Sequence, residues 1–276
     1  MMFKNGDDNK TQAKSSRPTS QLASLATRRA TNQQRRIWSR RVSSWGQHGS
    51  ANLGAVTSAV IGVAAVQPGA DVLDLGCGTG QISIPLANRG ANVLGVDVSP
   101  AMASALRAEA RRRRLARLAA VAVPIEELNM ASASVDLVVS SYALHHLRDA
   151  DKAKLVMAAF GWLRPGGRLV IADMMLGRGG SARDRAIIRG KLRVLARKGP
   201  GGWWRIIKNS WRYLVRVQER PISMASWTAL FEEAGFTAIT ASALVAEAGL
   251  VTGARPDPGR TASQAMAGAA NSSDRR

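Results

Sequence analysis

The seven residues Asp74-Leu75-Gly76-Cys77-Gly78-Thr79-Gly80 constrain the fold of this chain more than any other stretch. They follow a short apolar run, Val72 to Leu75, of the kind that forms a buried parallel strand. A helical stretch follows from about Gln81 to Asn88. Strand, glycine turn and helix together make the layout of a nucleotide-cofactor site. Glycines permit tight backbone angles and close approach to a ligand, and the helix N-terminus offers free N–H groups to an anionic or carboxylate-bearing group. A dinucleotide fingerprint needs G-x-G-x-x-G, whose third glycine falls here on Gln81. The pattern present is G-x-G-x-G, ending at Gly80. Asn92 to Asp97 then reads as a second strand ending in an acid. Asp97 stands about 20 residues beyond the loop, where an acid accepts hydrogen bonds from ribose hydroxyls.

Strands and helices alternate from there. Strand 92–97 leads to a helix at 100–114, a weaker strand covers 118–123, and strand 135–140 leads to a helix at about 150–163. Pro165-Gly166-Gly167 marks a turn before strand 168–173. A helix at Ser226–Gly235 is stopped by Gly235, and Phe236–Ala241 and Ala246–Ala254 read as closing strands. The alternation predicts a doubly wound α/β sheet. Ala51 to Val66 reads as a buried helix, and Asn32 to His48 as another, with Trp38 and Trp45 on one face.

The segments VLDLGCGTG (72–80), VLGVDVSPAM (93–102), VDLVVSSYALHHL (135–147) and LRPGGRLVIAD (163–173) resemble, in order and spacing, the class I S-adenosylmethionine-dependent methyltransferases of the small-molecule type, a group that includes menaquinone, ubiquinone and sterol methyltransferases. The resemblance implies a Rossmann-like seven-stranded sheet, mostly parallel with an antiparallel last strand, and adenosylmethionine as cofactor. It places Asp74, Gly76, Cys77, Gly78 and Gly80 at the methionine and ribose portions, Asp97 and Val98 at the ribose diol, and Ser140 at the methionine end. Family members commonly carry an acid and a small residue after the third strand. Here those positions are Pro124 and Ile125, so Glu126, a backbone carbonyl or apolar contact must serve the adenine. A small residue tolerated in a crowded turn remains the plainer reading of Cys77.

Methyl transfer from a sulfonium rests largely on alignment, and an oxygen or carbon acceptor gains from a general base. His suits that role near neutral pH, which makes His145 and His146 the catalytic candidates; capping and packing are their alternatives. No third ligand accompanies them, so no metal site is expected. Two classes compete with O- or C-methylation of a small-molecule or lipid-like acceptor: an RNA methyltransferase, and a non-catalytic adenosylmethionine-binding protein. "SSYALHH" lacks the N/D-P-P-Y/F-like motif common in base-modifying enzymes, which makes nucleic acid the weaker partner.

Charge adds one constraint. The net charge is +20, concentrated in residues 1–45 (ten Lys/Arg against two Asp), in 177–220 (thirteen against two acids) and in Arg111–Arg114. Such a field suits an anionic membrane surface or nucleic acid, and equally a solvated arginine-rich exterior. The single cysteine excludes a disulfide framework. No signal-like h-region and no run of 18 apolar residues is present, so the expected location is cytoplasmic, or peripheral at the inner membrane surface. The expected organisation is a disordered basic tail at 1–30, a methyltransferase domain at 31–255 and a disordered tail at 256–276. A helical lid insertion at 177–220 interrupts the domain, and its Trp- and Arg-bearing helix at 203–217 is suited to a lipid interface.

Overall fold

The computed structural model describes residues 31–40, 42, 51–177, 182–196, 220–245 and 247–259. Helix α1 spans 31–40 and α2 spans Ala51–Ala64. There follow β1 (Asp71–Leu75), α3 (Ser83–Asn88), β2 (Asn92–Asp97), α4 (Pro100–Arg112), β3 (Leu118–Ala122) and β4 (Val135–Ser141). The chain continues through α5 (Asp149–Trp162), β5 (Leu163–Met174), α6 (Ala182–Ala196), α7 (Met224–Glu233), β6 (Thr237–Ala243) and β7 (Ala248–Ala254). The expectations for Trp45, for the helix at 203–217 and for the tails at 1–30 and 260–276 lie outside the described residues.

The seven strands form one sheet in the order β3-β2-β1-β4-β5-β7-β6. β7 runs antiparallel to both β5 and β6, and the other neighbours are parallel. Alternation along the strands supplies two cores. Val72, Leu137, Val139 and Val170 pack with α2, α3 and α4 on one face. Leu73, Leu75, Val138, Leu169 and Ile171 pack with α5 and α7 on the other. The strand order reverses between β1 and β4, and a crevice at such a reversal, outside the carboxyl ends of the strands, is where open α/β sheets bind ligands.

Local chemistry fixes the helices. Ser99 caps α4 by accepting from the Met102 N–H, and Pro100 occupies the first turn, where no N–H is needed. Ser223 caps α7 in the same way, and Gly235 follows its end at φ +91°. α2 is not buried all round as expected. Among its described side chains only the stripe Val56, Val60, Ala64 is fully covered, because the helix lies on one face of the sheet and its other side meets solvent. The Arg168 guanidinium donates to the Val63 and Ala64 carbonyls at its C-terminus, where the helix dipole favours a cation.

Strand β5 departs from expectation. It begins at Leu163 rather than at 168. Val135 faces Leu163 and Leu137 faces Arg168, so five steps on β5 match two on β4. Pro165-Gly166-Gly167 is therefore a bulge within a strand, with Gly166 at φ +79°.

Gly253 on β7 leaves room for two aromatic rings. A Cβ there would sit 2.7 Å from Phe231 Cδ1 and 3.0 Å from Phe236 Cβ. Gly161 on α5 has nothing within 4 Å of that position. Urea denaturation should show Gly253→Ala destabilised by about 1–3 kcal/mol, whereas Gly161→Ala should be stabilised by up to about 1 kcal/mol through helix propensity.

Candidate active site

The glycine loop is held by its neighbour strand. The Gly76 and Cys77 N–H groups both donate to the Val96 carbonyl, at 2.8 and 3.1 Å. Gly78 N–H donates to Asp97 Oδ2 at 3.0 Å, and Ser99 N–H donates to Asp97 Oδ1 at 2.8 Å. Gly76 and Gly78 adopt φ of +76° and +52°, which glycine alone enters without strain.

Above the loop lies a cavity open to solvent, about 870 Å³ when counted out to its open mouth. Gly76, Gly78, Gln81, Asp97, Val98 and Met102 form one part of its lining, and Ile125 and Glu126 continue it. Ser141, Tyr142, Ala143, His146 and Leu147 form the wall after β4, and Thr31, Gln34, Trp38 and Leu53 come from α1 and α2. α1 is fastened over this rim: Arg35 Nε donates to the Val98 carbonyl at 3.3 Å, Ser39 and Ser99 hydroxyls lie 3.0 Å apart, and Trp38 meets His146 edge to face at 5.5 Å.

Of the residues singled out in the sequence, Trp38, Gly76, Gly78, Asp97, Val98, Ile125, Glu126 and His146 line the cavity. The others stand behind it. Asp74 is buried and accepts from the Ser83 hydroxyl at 2.5 Å, so it braces the start of α3. Cys77 is buried against Gly95, and burial pushes its thiol well up, which keeps it unreactive. Gly80, at φ +101°, faces Leu106 and Ile84 and is a packing glycine. Ser140 donates from its hydroxyl to the Leu75 carbonyl, and Ser141 is the serine that reaches the cavity. His145 is buried against Asp173, its Nδ1 2.5 Å from Oδ1. Sequence reasoning did not single out Thr31, Gln34, Leu53, Gln81, Met102, Ala143 or Leu147. Met102, Ala143 and Leu147 carried a usable signal, inside the segments 93–102 and 135–147.

The electrostatics of the cavity oppose those of the whole chain. Its described lining contains Asp97 and Glu126 and no Lys or Arg, although the protein carries +20. Burial raises both carboxyls above their ordinary values; the Ser99 and Gly78 N–H groups pull Asp97 back down. Burial, aided by Glu247 and Asp173, pushes Tyr142 up to about 12. Its phenol therefore stays protonated and cannot serve as a base near neutrality. Tyr142 sits at φ +51°, an uncommon left-handed conformation for a non-glycine residue, at the junction of β4 with the cavity wall.

These residues suit one kind of ligand. Each Asp97 oxygen accepts one backbone N–H and retains a lone pair, which fits a vicinal diol. Val98, Met102 and Ile125 offer apolar contact to a flat ring. Two carboxyls without a lining cation favour a positively charged ligand over a phosphate-rich one.

Residues 72–167 match the methyltransferase domain family. That segment is a class I S-adenosylmethionine-dependent methyltransferase domain. An uncharacterised methyltransferase of Synechocystis is 34% identical over 110 residues, which are 40% of this chain and 50% of that protein. A ubiquinone biosynthesis O-methyltransferase of Acinetobacter baylyi is 33% identical over 107 residues, 38% of this chain and 44% of that one. The chain thus spans about half the length of the curated relatives it matches. In fold it is similar to a chain from the complex of the Haloferax volcanii Trm112 methyltransferase activator with a methyltransferase, with a TM-score of 0.60 and 17% identity. That likeness covers 79% of this chain and 97% of the other. In this methyltransferase domain, Gly76 and Gly78 would lie against the methionine and ribose portions of adenosylmethionine, Asp97 would hold the ribose diol, and Ile125 and Glu126 would flank the adenine.

Burial pushes Asp74 up to about 7, against a lowering by Ser83 and a further raising by Asp97. An unfolded aspartate titrates near 3.8. Between roughly pH 4 and 7 the folded chain retains a proton that the unfolded chain has lost, so stability falls as pH rises through that window and levels off above it. The loss is on the order of a few kcal/mol. Chemical denaturation across this range should show the slope reduced in Asp74→Asn, which is neutral at every pH and still accepts from Ser83.

Proposed function

We propose that the protein transfers a methyl group from adenosylmethionine to oxygen or carbon of a small-molecule or lipid-like acceptor. The observation that carries this reading is the acidic, largely apolar cavity fastened beneath α1 in a chain that is otherwise strongly basic. A nucleic-acid strand would bring phosphates into a lining whose described residues offer two carboxyls and no Lys or Arg, whereas a compact neutral acceptor meets Trp38, Leu147 and Tyr142. The 33% identity over 107 residues to a ubiquinone biosynthesis O-methyltransferase supports the same class of acceptor.

The cofactor supplies an electrophilic methyl on a sulfonium. The chain supplies position and a proton acceptor. Asp97 and the glycine loop fix one partner, and the wall from Ser141 to Leu147 faces the other. His146 is the imidazole among the described lining residues, the side-chain type suited to proton transfer near neutral pH. It accepts the proton that the acceptor O–H or C–H gives up as the new bond forms. Tyr142 donates a hydrogen bond to the acceptor from a phenol that remains neutral.

His146→Ala should lower kcat by roughly 10²–10⁴-fold while adenosylmethionine affinity is unchanged, and the parent rate should rise through a pKa in the histidine range. Mass spectrometry with catechol-like and quinol-like acceptors on one side and total RNA on the other checks the acceptor class. Methylation of RNA with the small acceptors untouched would contradict it.

A further inference from the structure

We propose that Asp173 is a positioning residue for methyl transfer, acting through His145 to hold the ring of His146 against the cavity. The inference rests on His146 being the proton acceptor described above.

Asp173 stands near the end of β5, between Ala172 and Met174, and is 1% exposed. A carboxylate in such a place is costly unless its oxygens are occupied. Oδ2 accepts the His145 backbone N–H at 2.8 Å. Oδ1 accepts the Met174 N–H at 2.7 Å and lies 2.5 Å from His145 Nδ1. One oxygen therefore fixes the backbone at which the turn Leu144–His146 begins its histidine pair, and the other fixes the ring. With the carboxylate as acceptor, the proton on His145 sits at Nδ1.

The fixed ring then acts on its neighbour. His145 and His146 have centroids 4.1 Å apart with planes tilted by 48°. Trp38 meets His146 at 5.5 Å and 66°. His146 is thus held between an anchored imidazole and an indole from α1. The main chain of the turn is pinned as well. The Arg220 N–H donates to the His145 carbonyl at 2.6 Å, and the fully buried Lys152 donates to the Leu147 and Arg220 carbonyls at 2.9 and 2.6 Å. With the backbone held, the side-chain contacts decide where the His146 ring points. A reacting group must be held to a fraction of an ångström by neighbours that are themselves locked.

The chain has three histidines, so proton NMR of the imidazoles resolves them, with His146→Ala assigning its own signals. In the parent, His145 should show a slowly exchanging, far-downfield Nδ1 proton, and His146 should show narrow ring signals displaced by Trp38. Asp173→Asn keeps the volume but cannot accept at both atoms. It should lose the downfield proton, broaden and move the His146 signals, and lower kcat by roughly 10- to 100-fold, as loss of an orienting neighbour does elsewhere. Adenosylmethionine affinity should stay within about twofold, as expected for a residue that does not touch the cofactor. His145→Phe keeps a ring but not the bond to Asp173 and should match Asp173→Asn. The double variant, which leaves no unpaired charge buried, should be no slower than either single one. Unchanged His146 signals in any folded variant that has lost the Asp173–His145 bond would overturn the proposal. So would an active His146→Ala beside an inactive His145→Phe, which would make His145 the base. The NMR readings decide the positioning by themselves, and absence of methyl transfer from the parent would count against the proposed chemistry instead.

Discussion

The Asp97 carboxylate is the point on which the site depends. One oxygen receives Gly78 from the glycine loop, the other receives Ser99 from the cap of α4. A single side chain at the end of β2 thereby ties the loop after β1 to the helix after β2. It borders the crevice that the reversal of strand order opens between β1 and β4. Buried carboxylates are tolerated when hydrogen-bonded, and here both bonds come from backbone groups that the two loops would otherwise leave unpaired. Ser99 extends the tie by capping α4 and meeting Ser39 of α1. Loop, helix cap and covering helix thus share one anchor.

A second layer of buried polar groups supports the wall opposite. Asp74 braces the start of α3 through Ser83, Ser140 secures β4 to β1, and Asp173 and Lys152 fasten the turn that bears His146. None of these residues lines the cavity. Lys152 bonds to Leu147, which does, and Asp173 holds His145 beside the lining residue His146. In a chain of net charge +20 the described cavity lining is nonetheless acidic: no described arginine is buried or lines it, and the inner polar groups are hydrogen-bonded within the protein.

The fold was legible because strand and helix periods alternate cleanly through 71–174, and because the glycine loop and Asp97 mark the reversal of strand order. The bulge at Pro165-Gly166-Gly167 was read as a turn, since Pro and Gly signal interrupted pairing without saying that the strand resumes in the same ladder. Within the site, the sequence pointed to the right loops but not to the right faces of them. Ser140 turns inward while Ser141 reaches the cavity, because neighbours on a strand point to opposite sides; Asp74, Cys77 and Gly80 face Ser83, Gly95 and Leu106 instead of the cavity. Thr31, Gln34 and Leu53 come from helices remote in sequence, and no local pattern foretells that closure. The two histidines differ only in which way a short turn aims them, which the position of Asp173, 28 residues away, decides.

Calorimetric titration with adenosylmethionine, on the parent and on Asp97→Ala, tests the central claim most directly. The account predicts saturable one-site binding to the parent and a loss of about 1.5–3 kcal/mol in the variant, the magnitude of charge-assisted hydrogen bonds removed from a diol. It also predicts that a nicotinamide dinucleotide gives no heat of binding. Equal affinity in the two proteins, or preference for the dinucleotide, would contradict it.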